Sequence, residues 1–99
     1  MADLKGKRIV ITGAGSGIGR ATSQLAAAQG ARVVAVDLSE GVEETVENIR
    51  AAGGEGIAVQ ADVSDESAVK DFIEKGVNEF GGLDGLYANA GVGGGGKPF

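Results

Sequence analysis

Arg8-Ile9-Val10-Ile11-Thr12-Gly13-Ala14-Gly15-Ser16-Gly17-Ile18-Gly19 is the stretch whose reading decides the fold. Its opening residues, 8–12, form a continuous run, β-branched from Ile9 onward, that stops at Gly13. Continuity rather than alternation marks a parallel strand buried on both faces. The glycines that follow open a helix over residues 17–29, with Ile18, Ala21, Thr22, Leu25 and Ala28 as its apolar side. Gly30 stands where a helix C-terminus favours glycine. A strand, a glycine loop and a helix in that order put free backbone N–H groups against any anion above the sheet.

Working outward, the same alternation repeats. Residues 31–36 read as a second strand closed by Asp37. Val42, Val46, Ile49 and Ala52 recur with helical spacing, and Gly53-Gly54 ends that helix. Residues 57–61 read as a third strand, followed by Asp62 and Val63. Ser64 is a candidate cap for a third helix whose stripe is Val69, Phe72, Ile73 and Phe80, with Gly76 on the same side. Gly81-Gly82 breaks it, and residues 83–88 supply a fourth strand that contains Tyr87. Four strands joined by three helical crossovers, β-α-β-α-β-α-β, require parallel pairing. The expected fold is an α/β open parallel sheet of doubly wound type. Residues 1–90 read as one domain and the glycine-rich residues 91–99 as a tail.

Composition narrows the chemistry. The 99 residues contain no cysteine and no histidine, which removes disulfides, thiolate or histidine metal sites, thiol nucleophiles and any Ser-His-Asp triad. Nine basic against fourteen acidic residues give a net charge of −5, the wrong sign for tracking nucleic-acid phosphates. No apolar run is long enough to span a bilayer, and the N-terminus lacks an apolar signal region. A cytoplasmic location is expected. Glycine, at 19 of 99 residues, is the outlier.

The loop 12–19 has the form of a dinucleotide-binding turn. Its glycines permit positive φ, close approach of a phosphate to backbone, and tight helix-on-strand packing. A nucleotide-triphosphate loop is excluded, because that needs Lys-Ser/Thr after its last glycine and Gly19 precedes Arg20-Ala21. Asp37, 18 residues beyond Gly19 and at the end of the next strand, stands where a carboxylate accepts both hydroxyls of an adenosine ribose. The same charge repels a 2′-phosphate, so the expected cofactor is NAD rather than NADP. An ordinary solvated strand-end aspartate is the alternative.

Residues 12–19 match the TGxxxGxG motif of the short-chain dehydrogenase/reductase family, which the chain resembles over essentially its whole length. Asn89-Ala90-Gly91 matches that family's NAG motif, and Asp62-Val63 resembles its adenine-contacting pair. The resemblance implies a Rossmann-like cofactor-binding half. It makes Gly13, Gly17 and Gly19 the phosphate turn, with Ser16 and Ile18 offering backbone N–H groups. Asp37 would hold the ribose, Asp62 the adenine amino group, and Val63 would line the adenine pocket. Asn89, Ala90 and Gly91 would lie under the cofactor. A neutral Ser16, where NADP-preferring relatives often carry a base, agrees with NAD. Asp62 capping a loop and Asn89 satisfying strand-end backbone remain the plainer alternatives.

The family's catalytic Ser and Tyr-xxx-Lys have no counterpart, since Tyr87 is followed four residues later by Gly91, and no catalytic residue is assigned. Three readings stay open: an NAD-binding N-terminal portion without turnover, an enzyme completed by a separate C-terminal fragment, and a truncated or engineered half whose nucleotide site is vestigial. The fourth strand's outer edge and an undercovered sheet face lead us to expect self-association. A monodisperse monomer in sedimentation velocity contradicts that expectation.

Overall fold

The computed structural model describes residues 4–87. Asn89, Ala90, Gly91 and the tail at 91–99 lie outside them. In chain order the elements are β1 (Arg8–Thr12), α1 (Gly17–Ala28), β2 (Arg32–Asp37), α2 (Gly41–Ala51), β3 (Glu55–Gln60), α3 (Glu66–Phe80) and β4 (Gly85–Tyr87). The strands form one all-parallel sheet in the order β3-β2-β1-β4. The chain therefore steps outward from β1 to β3, then crosses back to place β4 on the other side of β1. This is the Rossmann-like, doubly wound arrangement expected from the sequence, and the reversal between β1 and β4 is where such sheets open a crevice.

Register sets which side chain faces which layer. Ile9 pairs with Val33 and Ile11 with Ala35, so alternate residues line one face. Ile11, Val33 and Ala35 pack with Ala26, Ala27, Val42, Val46 and Ile49 of α1 and α2. Val10, Val34 and Val36 face the opposite way and pack with Phe72 of α3, with Val69, Phe80 and Leu83 at the margin. Among the described residues, two helices thus cover one face and a single helix the other. None of the described helices is long and apolar enough to cross a membrane.

The inward side of α1 differs from the expected stripe. Gly19, Ser23, Ala26 and Ala27 are buried, whereas Ile18 and Leu25 are 62% and 61% exposed. Small residues let the helix axis approach the sheet closely: a Cβ on Gly19 would run into the Gly13 carbonyl. The larger side chains then have no room underneath and turn outward. None of the stripe expected from helical spacing is buried, and the neighbouring face of small residues packs instead.

The cap of α3 also moves by one residue. Ser64 donates both its N–H and its hydroxyl to Asp62 Oδ1, at 2.9 and 2.6 Å, and is engaged in that turn. Asp65 takes the cap instead, accepting the Ser67 N–H at 2.9 Å. Gly81, at φ 82°, closes the helix by donating to the Val77 carbonyl. Of the expected α3 stripe, Phe72 and Gly76 are buried while Ile73 is exposed. Leu86 and Tyr87 on β4 are exposed as well, so Tyr87 belongs to the strand without being packed within it.

At the lower end of the sheet, Arg8 and Asp84 lock β1 to the segment entering β4. The Asp84 carboxylate accepts the Arg8 N–H at 2.8 Å and its guanidinium at 2.9 and 3.2 Å, while the Asp84 N–H donates to the Arg8 carbonyl. The guanidinium and backbone N–H of Arg8 lower the Asp84 pKa from 3.8 to about 2. A carboxylate depressed on folding contributes stability above its unfolded pKa and loses it as pH falls through its folded one. Asp84→Asn should therefore lower the thermal midpoint at neutral pH, with the gap to the parent closing between pH 4 and about 2. Thermal melts across that range check it, and a gap independent of pH would contradict the assignment.

Candidate functional site

The C-terminal ends of β1 and β2 carry the site, and the backbone shows how. Beyond the last residue of β1, the Ala14 N–H donates to the Val36 carbonyl at 3.0 Å, extending the β1–β2 ladder into the glycine loop. The next N–H, of Gly15, donates not to backbone but to Asp37 Oδ2 at 2.7 Å. The other oxygen, Oδ1, accepts the Ser39 N–H at 2.9 Å. Asp37 thus ends β2 and pins the glycine loop against it. Each carboxylate oxygen accepts one of these bonds, and each has a further lone pair.

Glycines are needed at defined points of this loop. Gly13 and Gly17 have φ of 68° and 58°, values that favour glycine. At Gly15 a Cβ would lie 2.6 Å from Ser39 Oγ and 2.8 Å from Asp37 Oδ2, so a side chain there would displace the Asp37 carboxylate. Gly41, the first residue of α2, sits against the Gly15 carbonyl so closely that its own Cβ would collide with that oxygen. A Cβ on Gly17 meets nothing within 4 Å. The α-carbon there faces open space.

Ser16 is the N-cap of α1, but its side chain makes no capping bond, and no acidic side chain sits in the first turn. The first N–H groups of a helix have no acceptor within the helix. Here an uncapped N-terminus with exposed Ser16, Gly17 and Ile18 lies beyond the same loop that Asp37 anchors. Backbone donors and the positive end of the helix dipole favour an anion there.

Of the residues expected from the sequence, Gly13, Ser16, Gly17, Ile18, Gly19 and Asp37 come together around this loop. Asp62 and Val63 follow β3, beside the end of β2, with the Ala61 N–H bonded to the Asp37 carbonyl at 3.0 Å. Ser64's hydroxyl and N–H hold the Asp62 carboxyl below its ordinary range. Only Oδ1 of Asp62 is used in that turn. Val63 is half-buried at the margin of the α3-side core.

Four neighbours were not identified from the sequence: Arg20, Leu38, Gly41 and Thr45. Leu38, directly after Asp37, is 68% exposed. Thr45 was legible in principle. It shares the inward stripe of α2 with Val42, Val46 and Ile49, where a polar group needs a partner. That partner is the Ala14 carbonyl, at 2.7 Å. Arg20 gave no such signal, because its backbone acceptors are defined only once the loop is folded.

Comparison with known proteins is consistent with this geometry. The short chain dehydrogenase profile matches residues 7–99. The 2,5-dichloro-2,5-cyclohexadiene-1,4-diol dehydrogenase of Sphingobium indicum is 42% identical over 92 residues, covering 93% of this chain and 36% of that protein. A short-chain dehydrogenase/reductase homolog from Bacillus subtilis, YusS, is 47% identical over 89 residues, covering 87% of this chain and 81% of its own length. A short-chain dehydrogenase/reductase from Burkholderia phymatum, solved in complex with NAD, superposes with a TM-score of 0.82 at 40% identity, over 87% of this chain and 31% of that one. The chain spans about a third of the length of the first of these relatives. With the family profile covering nearly every residue and the glycine loop, strand order and strand-end aspartate in place, the chain belongs to the short-chain dehydrogenase family.

Proposed function

We propose that this chain binds NAD(H) at the C-terminal ends of β1 and β2, as the cofactor-holding portion of a dehydrogenase. The observation that carries the reading is the bond from the Gly15 N–H to Asp37 Oδ2, which sets a carboxylate beside an uncapped helix N-terminus. A dinucleotide needs those two groups side by side: donors for its pyrophosphate and a carboxylate for its ribose diol. Ser16 and Ile18 supply N–H donors, Gly17 leaves its side open to a phosphate, and Gly13 and Gly19 give the turn its shape. Oδ2 of Asp62, to which no described residue donates, is free for the adenine amino group. Val63 and the exposed Leu38 offer the apolar walls that a purine needs. Asn89, Ala90 and Gly91 complete the site through the family resemblance alone, since they lie outside the described residues.

NAD is favoured over NADP on charge. The Asp37 carboxylate repels a 2′-phosphate, and Ser16 is neutral. Arg20 does not offset them, because its guanidinium is committed to the carbonyls of Gly15 and Gly41 and to Thr45. The relative from Burkholderia phymatum was crystallised with NAD, which supports the same choice. The bound nicotinamide would supply the hydride chemistry, and the chain's own part is to hold and orient the dinucleotide. No Tyr-xxx-Lys pair occurs in the 99 residues, so no proton donor is assigned to them.

A second reading, a self-associating half-sheet with an idle loop, draws support from exposed apolar side chains. Ile18 and Leu25 on α1 and Leu86 and Tyr87 on β4 are all open to solvent among the described residues. Titration with NAD⁺ separates the two readings, because saturable binding requires a working loop.

Two substitutions test the cofactor reading by calorimetry. Asp37→Ala should weaken NAD⁺ about tenfold or more, as expected for losing hydrogen bonds to a charged group. It should weaken NADP⁺ less. An unchanged preference removes Asp37 from cofactor selection. Gly17→Ala should still fold, since its Cβ meets no protein atom, at a cost of roughly 1–2 kcal/mol for the left-handed backbone. NAD⁺ affinity should nevertheless fall steeply. Parent-like binding by this variant would place the pyrophosphate elsewhere.

A further inference from the structure

We infer that Arg20 and Thr45 are positioning residues for the cofactor loop: together they hold the carbonyls of Ala14 and Gly15 and thereby aim the N–H groups of Gly15 and Ser16. The inference rests on the cofactor reading above for its ligand, but the brace itself is a feature of the chain. Neither side chain belongs to the glycine motif.

The bonds form a connected set. Thr45, fully buried, donates its hydroxyl proton to the Ala14 carbonyl at 2.7 Å. Arg20 Nε donates to that hydroxyl oxygen at 3.0 Å, and of the two carbonyls within the hydroxyl's reach, Ala14 at 2.7 Å and Gly41 at 3.2 Å, the nearer is Ala14. The Nη2 group of Arg20 donates to the Gly15 carbonyl at 2.8 Å and to the Gly41 carbonyl at 3.0 Å. Glu44, an exposed carboxylate on the next turn of α2, lies 3.3 Å from the same nitrogen. One guanidinium therefore joins α1, the glycine loop and the N-terminus of α2. Gly41 must lack a side chain for the three to meet, because its Cβ would collide with the Gly15 oxygen and lie 3.3 Å from Arg20 Nη2.

Peptide planarity converts these carbonyl contacts into amide directions. In a trans peptide the C=O of one residue and the N–H of the next point to opposite sides. The described chain has no cis bonds. Fixing the Ala14 carbonyl on Thr45 therefore turns the Gly15 N–H away from α2, and it is found on Asp37 Oδ2. Fixing the Gly15 carbonyl on Arg20 likewise turns the Ser16 N–H away from the guanidinium. That amide is a proposed pyrophosphate donor, and the brace gives it a fixed orientation before any ligand arrives. Preset donors avoid the ordering penalty that a free glycine loop would incur on binding. The charge of Arg20 also serves without competing for the ligand, since it faces carbonyl oxygens.

The test uses the full chain and two variants, the near-isosteric Thr45→Val and Arg20→Met, which keeps an unbranched apolar stem without the guanidinium, with Arg20→Lys as the conservative replacement. Calorimetry with NAD⁺ and NMR titration with adenosine, which lacks the pyrophosphate, separate loop positioning from general damage. Each variant should lose roughly tenfold in NAD⁺ affinity, while adenosine affinity changes much less. Arg20→Lys, keeping the charge but not the forked geometry, should fall between parent and Arg20→Met. Equal losses for both ligands, or no loss of NAD⁺ affinity, would overturn the inference. Amide hydrogen exchange on the unliganded proteins supplies a second readout that does not need the cofactor. The Gly15 amide should exchange faster in both variants, with protection in β1 and β2 retained. An unchanged Gly15 rate overturns the brace even if NAD⁺ binds, and a faster one supports it even if the parent chain fails to bind NAD⁺. Failure of the parent to bind would count against the proposed function alone.

Discussion

The bond between the Gly15 N–H and the Asp37 carboxylate is the constraint around which the upper end of this molecule is arranged. It continues the β1–β2 ladder by one step after backbone acceptors run out, exchanging a strand carbonyl for a side-chain carboxylate. Because Asp37 also takes the Ser39 N–H, the same group ends β2 and begins the turn into α2. Gly41 can then approach the loop, and Arg20 and Thr45 can reach its carbonyls. A hydrogen bond to an ionised acceptor is stronger than a neutral one. Placing that acceptor at the strand end fixes the loop without using its remaining N–H groups.

The rest of the fold supplies a rigid base for that loop. β1 and β2 are the two interior strands, and Val10, Val33, Val34, Ala35 and Val36 are essentially inaccessible. Small residues on the inner side of α1 bring its axis close to the sheet and its N-terminus over the end of β1. At the opposite end, the Arg8–Asp84 pair ties β1 to the approach of β4. A groove of about 470 Å³ also lies between the C-terminal ends of α1 and α2, lined by Gln24, Asn48, Ile49 and Gly53 among others. Helix C-termini carry negative partial charge. An anionic dinucleotide is therefore better matched to the glycine loop.

Much of this architecture was legible in the residues. The strand at 8–12 needed only its β-branched run and the glycine that ends it, and the crossover pattern then dictated parallel pairing. Asp37 was identifiable from its distance to Gly19. What escaped depended on packing or on local competition for hydrogen bonds. α1 carries two adjacent faces without charge, and close approach to the sheet favours the one with Gly19, Ser23, Ala26 and Ala27 over the one with Ile18 and Leu25. Ser64 and Asp65 are both good caps, and Asp62 decides between them by engaging Ser64. Arg20 served in the sequence only to exclude a nucleotide-triphosphate loop, because the backbone carbonyls its guanidinium binds leave no mark in the residues. Gly41 carried no signal of its own, and its need for bareness emerges only from the nearness of Gly15.

The central claim is that the glycine loop and Asp37 form one preset anion-and-ribose site. Backbone amide NMR of the chain during titration with NAD⁺ tests it most directly, since each loop amide reports separately. The account predicts that the largest shifts fall on residues 13–19 and on Asp37 and its immediate neighbours, with α3 and the lower ends of α1 and α2 scarcely affected. Shifts concentrated in the groove around Gln24, Asn48 and Gly53, or no saturable shift at the loop, would contradict it.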